Sequence, residues 1–155
     1  MHTNPACDSL SLADPDYFVA LLWRQLVGAR VLASALDAPP EVNSTAAVHA
    51  FCAGGGPPGA VVLAFINLAD APLDLALGGG LAAAPRVEFF LTAPGGNLTA
   101  DAVLLNGAPL TVDAQGRLAQ QPVPGRAVSA AGAPSLPPQS FGFIVLTAAA
   151  APACA

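Results

Sequence analysis

Residues 14–36, with the sequence DPDYFVALLWRQLVGARVLASAL, constrain the fold of this chain more than any other stretch. Asp14 is a good N-cap, and the proline after it suits the first helical position. Gly28 suits a left-handed residue that ends a helix. The sequence therefore predicts a helix over residues 15–27, followed by a strand over residues 29–36.

The predicted helix is apolar around almost its whole circumference. A helix that is apolar on every side is normally buried on every side. At about 13 residues it is too short to cross a bilayer, which takes about 20. The rest of the chain is expected to cover one side, so the pattern predicts a neighbour that this chain lacks. The apolar residues are Tyr17, Phe18, Val19, Leu21, Leu22, Trp23, Leu26 and Val27.

Length and charge fit one ordinary domain and exclude several classes of protein. The chain has 155 residues, and no apolar run reaches the roughly 18 residues of a transmembrane candidate. A net charge of −5 repels phosphate backbones, so nucleic-acid binding is not expected. Residues 1–13 lack the basic and apolar regions of a signal peptide, and we predict a loose leader there.

Short apolar stretches, separated by turns rich in glycine and proline, make up the rest of the chain. Asn106-Gly107 between two of them is the dipeptide preferred in type I′ hairpin turns. The pattern predicts an antiparallel β-sandwich of about eight strands over residues 29–155, preceded by one buried helix. The predicted strands are residues 29–36, 46–52, 60–68, 73–77, 86–92, the 102–112 hairpin, 127–130 and 141–147.

No catalytic set is visible in the sequence. Glu41 and Glu88 are its two glutamates, and a glycosidase needs two carboxylates about 5–9 Å apart. Glu41 lies in a proline-rich loop, and Glu88 is predicted to face solvent from a strand, so nothing places them together. His49 has no partner at metal-ligand spacing. We therefore expect no catalytic residue, no metal site and no cofactor in this chain.

Three cysteines and two glycosylation sequons indicate the cellular compartment in which the chain folds. Cys52 ends an early predicted strand and Cys154 follows the last one, so a bridge between them would pin the tail to the sheet. Three reduced thiols in a cytosolic protein, with Cys7 in the leader, are the alternative. Asn43 and Asn97 each begin an Asn-X-Thr sequon in a predicted loop. Together these features favour the secretory pathway.

Seven segments form a specific series along residues 14–155. They are PDYFVALLWRQLVGARVL at 15–32, VHAFC at 48–52, VVLAFINL at 61–68, EFFLTAPGGNL at 88–98, VLLNG at 103–107, LPPQSFGFIVL at 136–146 and the closing ACA. This series resembles the C-terminal third of heparanase-like proteins, the family-79 glycoside hydrolases, with the plant-type members looking closest.

The resemblance implies a (β/α)₈ catalytic barrel with a β-sandwich packed on its side. It makes the stretch over residues 14–28 the last barrel helix, and it implies a disulfide between Cys52 and Cys154. The implied reaction is retaining hydrolysis of β-glucuronidic bonds in acidic polysaccharides or glycoprotein glycans, by two glutamates upstream of this chain. The chain alone is therefore predicted inactive. The residues expected to contact the barrel are Tyr17, Phe18, Leu21, Leu22, Trp23 and Leu26.

The leading hypothesis is the C-terminal region of a longer heparanase-like β-glucuronidase. Its partner would be the upstream barrel of the same polypeptide, and the full-length protein would be secreted or held in an endomembrane compartment such as a vacuole or lysosome, with membrane association also expected. A stand-alone, non-catalytic sandwich that binds glycan or protein is the alternative. A third possibility is an intracellular product without a stable fold.

Overall fold

The computed structural model describes residues 15–78, 81, 84–113, 115–118, 120–129 and 132–155. Over these residues the protein is mostly β. Eight strands form one antiparallel sheet, a two-stranded sheet packs on one of its faces, and one main helix packs on the other. The predicted fold class is confirmed, although most strands share a single sheet rather than dividing evenly between two layers.

The helices and strands alternate with short turns along the chain. In the described part of the chain no helix is long and apolar enough to cross a bilayer. The helices are α1 Pro15–Leu26 and the one-turn α2 Pro40–Asn43. The strands are β1 Val27–Leu32, β2 Ala46–Ala53, β3 Val61–Asn67, β4 Leu73–Asp74, β5 Arg86–Thr92, β6 Val103–Leu105, β7 Ala108–Leu110, β8 Arg126–Val128, β9 Ser135–Leu136 and β10 Ser140–Leu146.

The large sheet has the strand order β1-β2-β3-β10-β5-β6-β7. Strands β6 and β8 pair with the same edge of β5, β8 with residues 86–88 and β6 with residues 91–92. The small sheet pairs β4 with β9. The long central pairs, β3 with β10 and β10 with β5, are in continuous antiparallel register over all seven residues of β10. Strands β3, β5 and β10 are therefore the rigid centre of the molecule.

Helix α1 packs on one face of the large sheet through a single stripe. Phe18 is 3% exposed and Leu22 is fully buried, whereas Tyr17 is 38% and Trp23 is 44% exposed. Within the described chain the sheet thus covers one side of α1, which agrees with the prediction that the rest of the chain covers only one side of this helix. Asp14, the predicted N-cap, lies outside the described residues. The core under α1 is completed by Val62, Phe89, Leu91, Val103, Leu105, Val123 and Phe143.

Gly28 has a different role from the predicted one. The helix ends at Leu26 and β1 begins at Val27, so Gly28 lies inside a strand and not at a left-handed helix end. A Cβ at Gly28 would lie 2.7 Å from the carbonyl oxygen of Cys52, on the neighbouring strand β2. The prediction of a C-cap was wrong, because the glycine permits the close approach of two backbones. The observed helix accordingly ends at Leu26, one residue before the predicted helix over residues 15–27 and two before the end of the segment 14–28.

Other predicted segments agree with the structure to different extents. The strand predicted over residues 86–92 is β5, whereas the one over residues 73–77 shrinks to the two residues of β4. The hairpin is confirmed: Asn106 and Gly107 have φ values of 50° and 86°. The Asn106 side chain accepts a bond from Phe90 N at 3.0 Å and donates to Glu88 O at 2.9 Å, so it fastens the hairpin to β5.

The opposite face of the sheet is covered by the small sheet and the loops beside it. Asn67, 1% exposed, ends β3 there and donates to Ala71 O at 3.0 Å and to Pro137 O at 2.9 Å. Its amide thereby joins three chain segments at this end of the sheet. The core of this face consists of Ala50, Val61, Leu63, Phe65, Leu75, Phe90, Leu136, Ile144 and Leu146.

The C-terminal tail is fastened beside β2. Cys52 and Cys154 form a disulfide with a Cα–Cα distance of 5.3 Å, across a sequence separation of 102 residues. Cys154 O also accepts a hydrogen bond from Gly59 N at 2.9 Å, and the Arg30 guanidinium donates to Ala153 O. The tail therefore joins β1, β2 and the turn before β3.

Asp113 closes a tight loop after β7. Its carboxylate accepts from the backbone N–H groups of Arg117 and Gln115, both at 2.9 Å, and pairs with the Arg117 guanidinium at 3.0 Å. The bond from Arg117 N, followed by the Arg117 side chain, lowers the pKa of the Asp113 carboxyl below its ordinary value despite partial opposition from desolvation.

The first prediction concerns the buried stripe of α1. Leu22→Ala should lower the free energy of unfolding by about 2–5 kcal/mol, because it leaves a cavity between the helix and the sheet. Leu68→Ala, at a side chain 61% exposed, is the matched control and should change it by less than about 0.5 kcal/mol. Urea unfolding followed by tryptophan fluorescence measures both. Equal, small effects would mean that α1 does not pack on the sheet.

The second prediction concerns the tail. Cys154→Ser should destabilise the oxidised protein by up to about 4–5 kcal/mol, because the bridge closes a long loop in the unfolded chain. Cys7→Ser is the control and should leave stability unchanged. Peptide mapping under oxidising conditions should recover Cys52 linked to Cys154, and a bridge that contains Cys7 would contradict this pairing.

Candidate docking surface

An exposed, largely apolar surface, interrupted by the exposed side chains of Asp16 and Arg24, runs from the outward side of α1 to β1. The Trp23 ring packs edge-on against Phe51 of β2 and Phe143 of β10, with ring-centre distances of 5.1 Å and 6.1 Å. Val31 pairs with Phe51 in the β1–β2 ladder and is 69% exposed. We call Tyr17, Ala20, Leu21, Trp23 and Val31 the docking surface.

A polar clamp holds the loop beside this surface. The Gln25 side chain donates to Val123 O at 2.9 Å and accepts from Val123 N at 2.8 Å. An amide that exchanges two bonds with a backbone imitates a strand pair and fixes both orientation and distance. Tyr17 adds a bond from its hydroxyl to Gly116 O at 3.3 Å. The long loop after β7 is thereby tied to α1 and forms one wall of a cleft with Arg24.

The residues predicted to contact a barrel divide into two groups. Phe18 and Leu22 turn inward, and the sheet already covers them. Leu26 is half-buried at the same core. Leu21 is likewise half-buried against this core, and only part of its side chain contributes to the docking surface, to which Tyr17 and Trp23 also belong. Contact of these side chains with another domain stays a prediction.

Glu88 is buried, so the prediction that it faces solvent was wrong. It is 2% exposed on β5. Its Oε1 accepts from Arg86 Nε at 2.7 Å, and its Oε2 accepts from Arg126 Nη2 at 2.6 Å. Arg86 is also buried and donates to Gly132 O at 3.0 Å, while the Arg126 guanidinium lies 5.6 Å from the centre of the Phe90 ring. The carboxylate is the centre of an Arg–Glu–Arg cluster.

The reason for this error is that both faces of β5 are covered. Alternation along a strand separates two faces, but it identifies a solvent face only where one side is wet. Arg86 and Glu88, two residues apart, share a face and can pair. The sequence motif Arg-Val-Glu was the available signal, and the third member, Arg126, lies 38 residues away on β8. Its participation depends on the β5–β8 pairing.

No carboxylate pair suited to glycoside hydrolysis occurs among the described residues. Both oxygens of Glu88 are engaged by guanidinium groups. Glu41 is exposed on α2, just before β2, and β2 is separated from β5 by two strands, which is about 14 Å across the sheet. In the same ranges, no three His, Cys, Asp or Glu side chains are grouped to hold a metal ion. His49 is exposed on β2.

Both sequon asparagines lie on the exposed surface. Asn43 ends α2 and donates from Nδ2 to Ala38 O at 2.8 Å. Asn97 follows the short turn after β5, and its Oδ1 accepts from Thr99. The two sites therefore differ in which atoms of the carboxamide are engaged.

Several heparanase-related proteins and a glucuronidase are similar to this chain. Heparanase from Mus musculus is 35% identical over 149 residues, which cover 90% of this chain and 26% of that protein. Heparanase-like protein 3 from Arabidopsis thaliana is 27% identical over 168 residues, covering 92% and 30%. Baicalin-beta-D-glucuronidase from Scutellaria baicalensis is 30% identical over 105 residues, covering 68% and 19%. No family model matches the chain.

The chain belongs to the heparanase-like glycoside hydrolases. It corresponds to the C-terminal region of these proteins and spans less than a third of the length of each of the three. The docking surface is thus an exposed apolar face on a heparanase-like C-terminal region.

The third prediction tests the Arg–Glu–Arg cluster. Glu88→Gln should destabilise this heparanase-like region by about 3–5 kcal/mol, because it leaves the buried Arg86 guanidinium without a counter-charge. Arg117→Ala removes the exposed pair with Asp113 and should cost at most about 1 kcal/mol. Urea midpoints of the two variants give the comparison. A Glu88→Gln protein as stable as the parent would show that the cluster contributes nothing.

Proposed function

We propose that this chain is the accessory β-sandwich region of a heparanase-like retaining endo-β-glucuronidase. Its docking surface contacts the upstream (β/α)₈ barrel of the same polypeptide. The exposed apolar face shared by α1 and β1 is the observation that carries the proposal. A contiguous exposed apolar surface on a folded domain marks a site of contact with another protein surface.

The chemistry belongs to the barrel in this proposal. A retaining glycosidase needs an acid/base and a nucleophile whose carboxyl groups are about 5–5.5 Å apart. Glu88 is held by two arginines and Glu41 is distant, so neither can serve. The sandwich region instead supports the barrel: burial of the parts of Trp23 and Val31 that are still exposed, 44% and 69%, stabilises the contact, by less for each than the about 1.5–3 kcal/mol of full burial.

The net charge of the chain also supports a sandwich region that does not itself bind the substrate. The chain carries −5, and such a surface repels an acidic polysaccharide. Glucuronic-acid-containing glycans would therefore be bound by the barrel and not by the sandwich. The disulfide and the exposed sequons suit a secreted or endomembrane protein, in which an oxidising lumen keeps Cys52 and Cys154 joined.

A stand-alone glycan-binding sandwich is the second candidate, and the exposed rings of Tyr17 and Trp23 are the observation in its favour. Rings that bind sugars form a common platform. At about 100° per residue, positions six apart on a helix point in directions about 120° apart. The two rings therefore do not share a plane on α1, and this candidate is the weaker one.

The size of the native product tests the proposed function. An antibody against this chain should detect a secreted or endomembrane product several times larger than 15.3 kDa after deglycosylation. The immunoprecipitate should hydrolyse a β-glucuronide, whereas the chain alone should not. A native product near 15 kDa, or hydrolysis by the chain alone, would contradict the proposal, and the former result would favour the binding module.

The fourth prediction concerns the docking surface itself. The isolated chain should self-associate as its concentration rises, because the surface lacks its covering domain. Ala20→Asp with Val31→Asp places two charges on exposed positions of that surface and should restore the monomer in light scattering. Ala108→Asp, at an exposed position of the distant strand β7, is the matched control and should leave association unchanged. A monomeric parent chain, or equal effects of both variants, would contradict the assignment.

A further inference from the structure

A second exposed apolar region lies at the N-terminal end of α1. It is a groove bounded by the start of α1 at Pro15, the end of β3 and the loop between β5 and β6. Its walls carry Ile66, Leu68 and Leu98, of which the last two are 61% and 66% exposed. None of the five docking-surface residues lines this groove. A domain that covers the docking surface would therefore not by itself cover the groove.

Asn97 immediately precedes the groove residue Leu98. Its Oδ1 accepts from Thr99 N at 3.1 Å and from Thr99 Oγ1 at 2.8 Å. These bonds occupy the carbonyl side of the carboxamide and leave Nδ2 on the other side. Asn97 and Thr99 are both exposed, and no residue in the described ranges accepts a bond from Asn97 Nδ2. The nitrogen that would carry a glycan is thus accessible on the folded surface.

The Asn43 sequon has the opposite arrangement. Asn43 Nδ2 donates to Ala38 O at 2.8 Å. The Thr45 hydroxyl, which completes the sequon, bonds to Val42 O at 3.2 Å and to Glu41 O at 3.3 Å. These partners are at most five residues away in sequence, so the one-turn helix α2 engages them locally. Both groups that define this sequon bond to their own backbone, so a glycan on Asn43 Nδ2 would have to be accommodated beside the bond to Ala38 O.

We propose that Asn97 carries an N-linked glycan and that this glycan covers the groove lined by Ile66, Leu68 and Leu98. A lipid-linked pyrophosphate oligosaccharide supplies the sugar. Its C1 forms a bond to Asn97 Nδ2, the bond from C1 to the pyrophosphate oxygen breaks, and the amide proton leaves as the lipid pyrophosphate departs. The proposal rests on the secretory localisation in the proposed function, and it does not depend on the docking surface.

Covering follows from the adjacency of the acceptor and the groove. A glycan on Asn97 begins one residue from Leu98, and the C–H faces of its first sugars can lie on an apolar wall while its hydroxyls face water. Glycans attached to surface asparagines are bulky and solubilising. An exposed apolar groove next to a free acceptor therefore receives a cover whose outer side is polar.

The fifth prediction tests occupancy first. The chain is secreted from eukaryotic cells behind a cleavable signal sequence, and its intact mass is measured before and after enzymatic deglycosylation. We expect one glycan, lost in Asn97→Gln and in Thr99→Ala, and retained in Asn43→Gln. No glycan at all, or a glycan that persists in Asn97→Gln, overturns the acceptor assignment.

Covering is tested on the same secreted proteins. Enzymatic removal of the glycan from the folded chain should raise the fluorescence of an apolar dye several-fold, and Asn97→Gln should reproduce the rise. Adding Leu98→Ser to Asn97→Gln should reverse it, whereas adding Val31→Ser, at the separate docking surface, should leave the groove-dependent rise intact. Dye binding that does not change on deglycosylation overturns the proposal that the glycan covers the groove. An upstream segment or a second copy of the chain would then be the occupant of the groove. Because native size and association at Ala20 and Val31 are measured separately, failure here is distinguishable from failure of the proposed function.

Discussion

The contact of Phe18 and Leu22 with the large sheet is the interaction on which the rest of the structure depends. It fixes the rotation of α1 about its own axis and so decides which apolar side chains remain outside. Trp23 is directed to Phe51, and Gln25 to the backbone of Val123. A rotation of one residue, about 100°, would bring Trp23 into the core and break the Gln25 clamp. The exposed apolar surface is therefore a consequence of how the core is packed.

Local signals in the sequence were sufficient for the elements that local chemistry determines. Apolar β-branched and aromatic residues predict the strand at residues 86–92. The dipeptide Asn106-Gly107 predicts the hairpin turn, because both residues tolerate the positive φ values that the turn requires. The start of the helical region follows from its apolar content. Boundaries were less well predicted where the partner of a segment decides them. Gly28 looks like a helix stop, but its position within β1 is set by Cys52 on the adjacent strand.

Glu88 shows why the candidate site was harder to predict than the fold. A charged residue in a strand is normally assigned to water, and that inference requires knowing that one face of the sheet is open. Here the small sheet and its loops cover the face that carries Glu88, and two arginines meet its carboxylate. One arginine is close in sequence, and the other arrives through β8. Such a cluster becomes visible only once the strand order is known.

The helix that is apolar on every side has a physical explanation in two parts. One stripe is buried against the sheet of this chain, and several of the remaining apolar residues, Tyr17 and Trp23 among them, stay partly exposed. Exposed Trp and Val side chains are tolerated singly on a surface, but a contiguous set that includes Trp23 and Val31 favours association. The groove near Leu98 raises the same problem at a separate place, where the acceptor Asn97 offers a polar cover that a protein partner does not need to supply. The two proposed covers differ accordingly: an upstream domain for the docking surface and a glycan for the groove near Leu98.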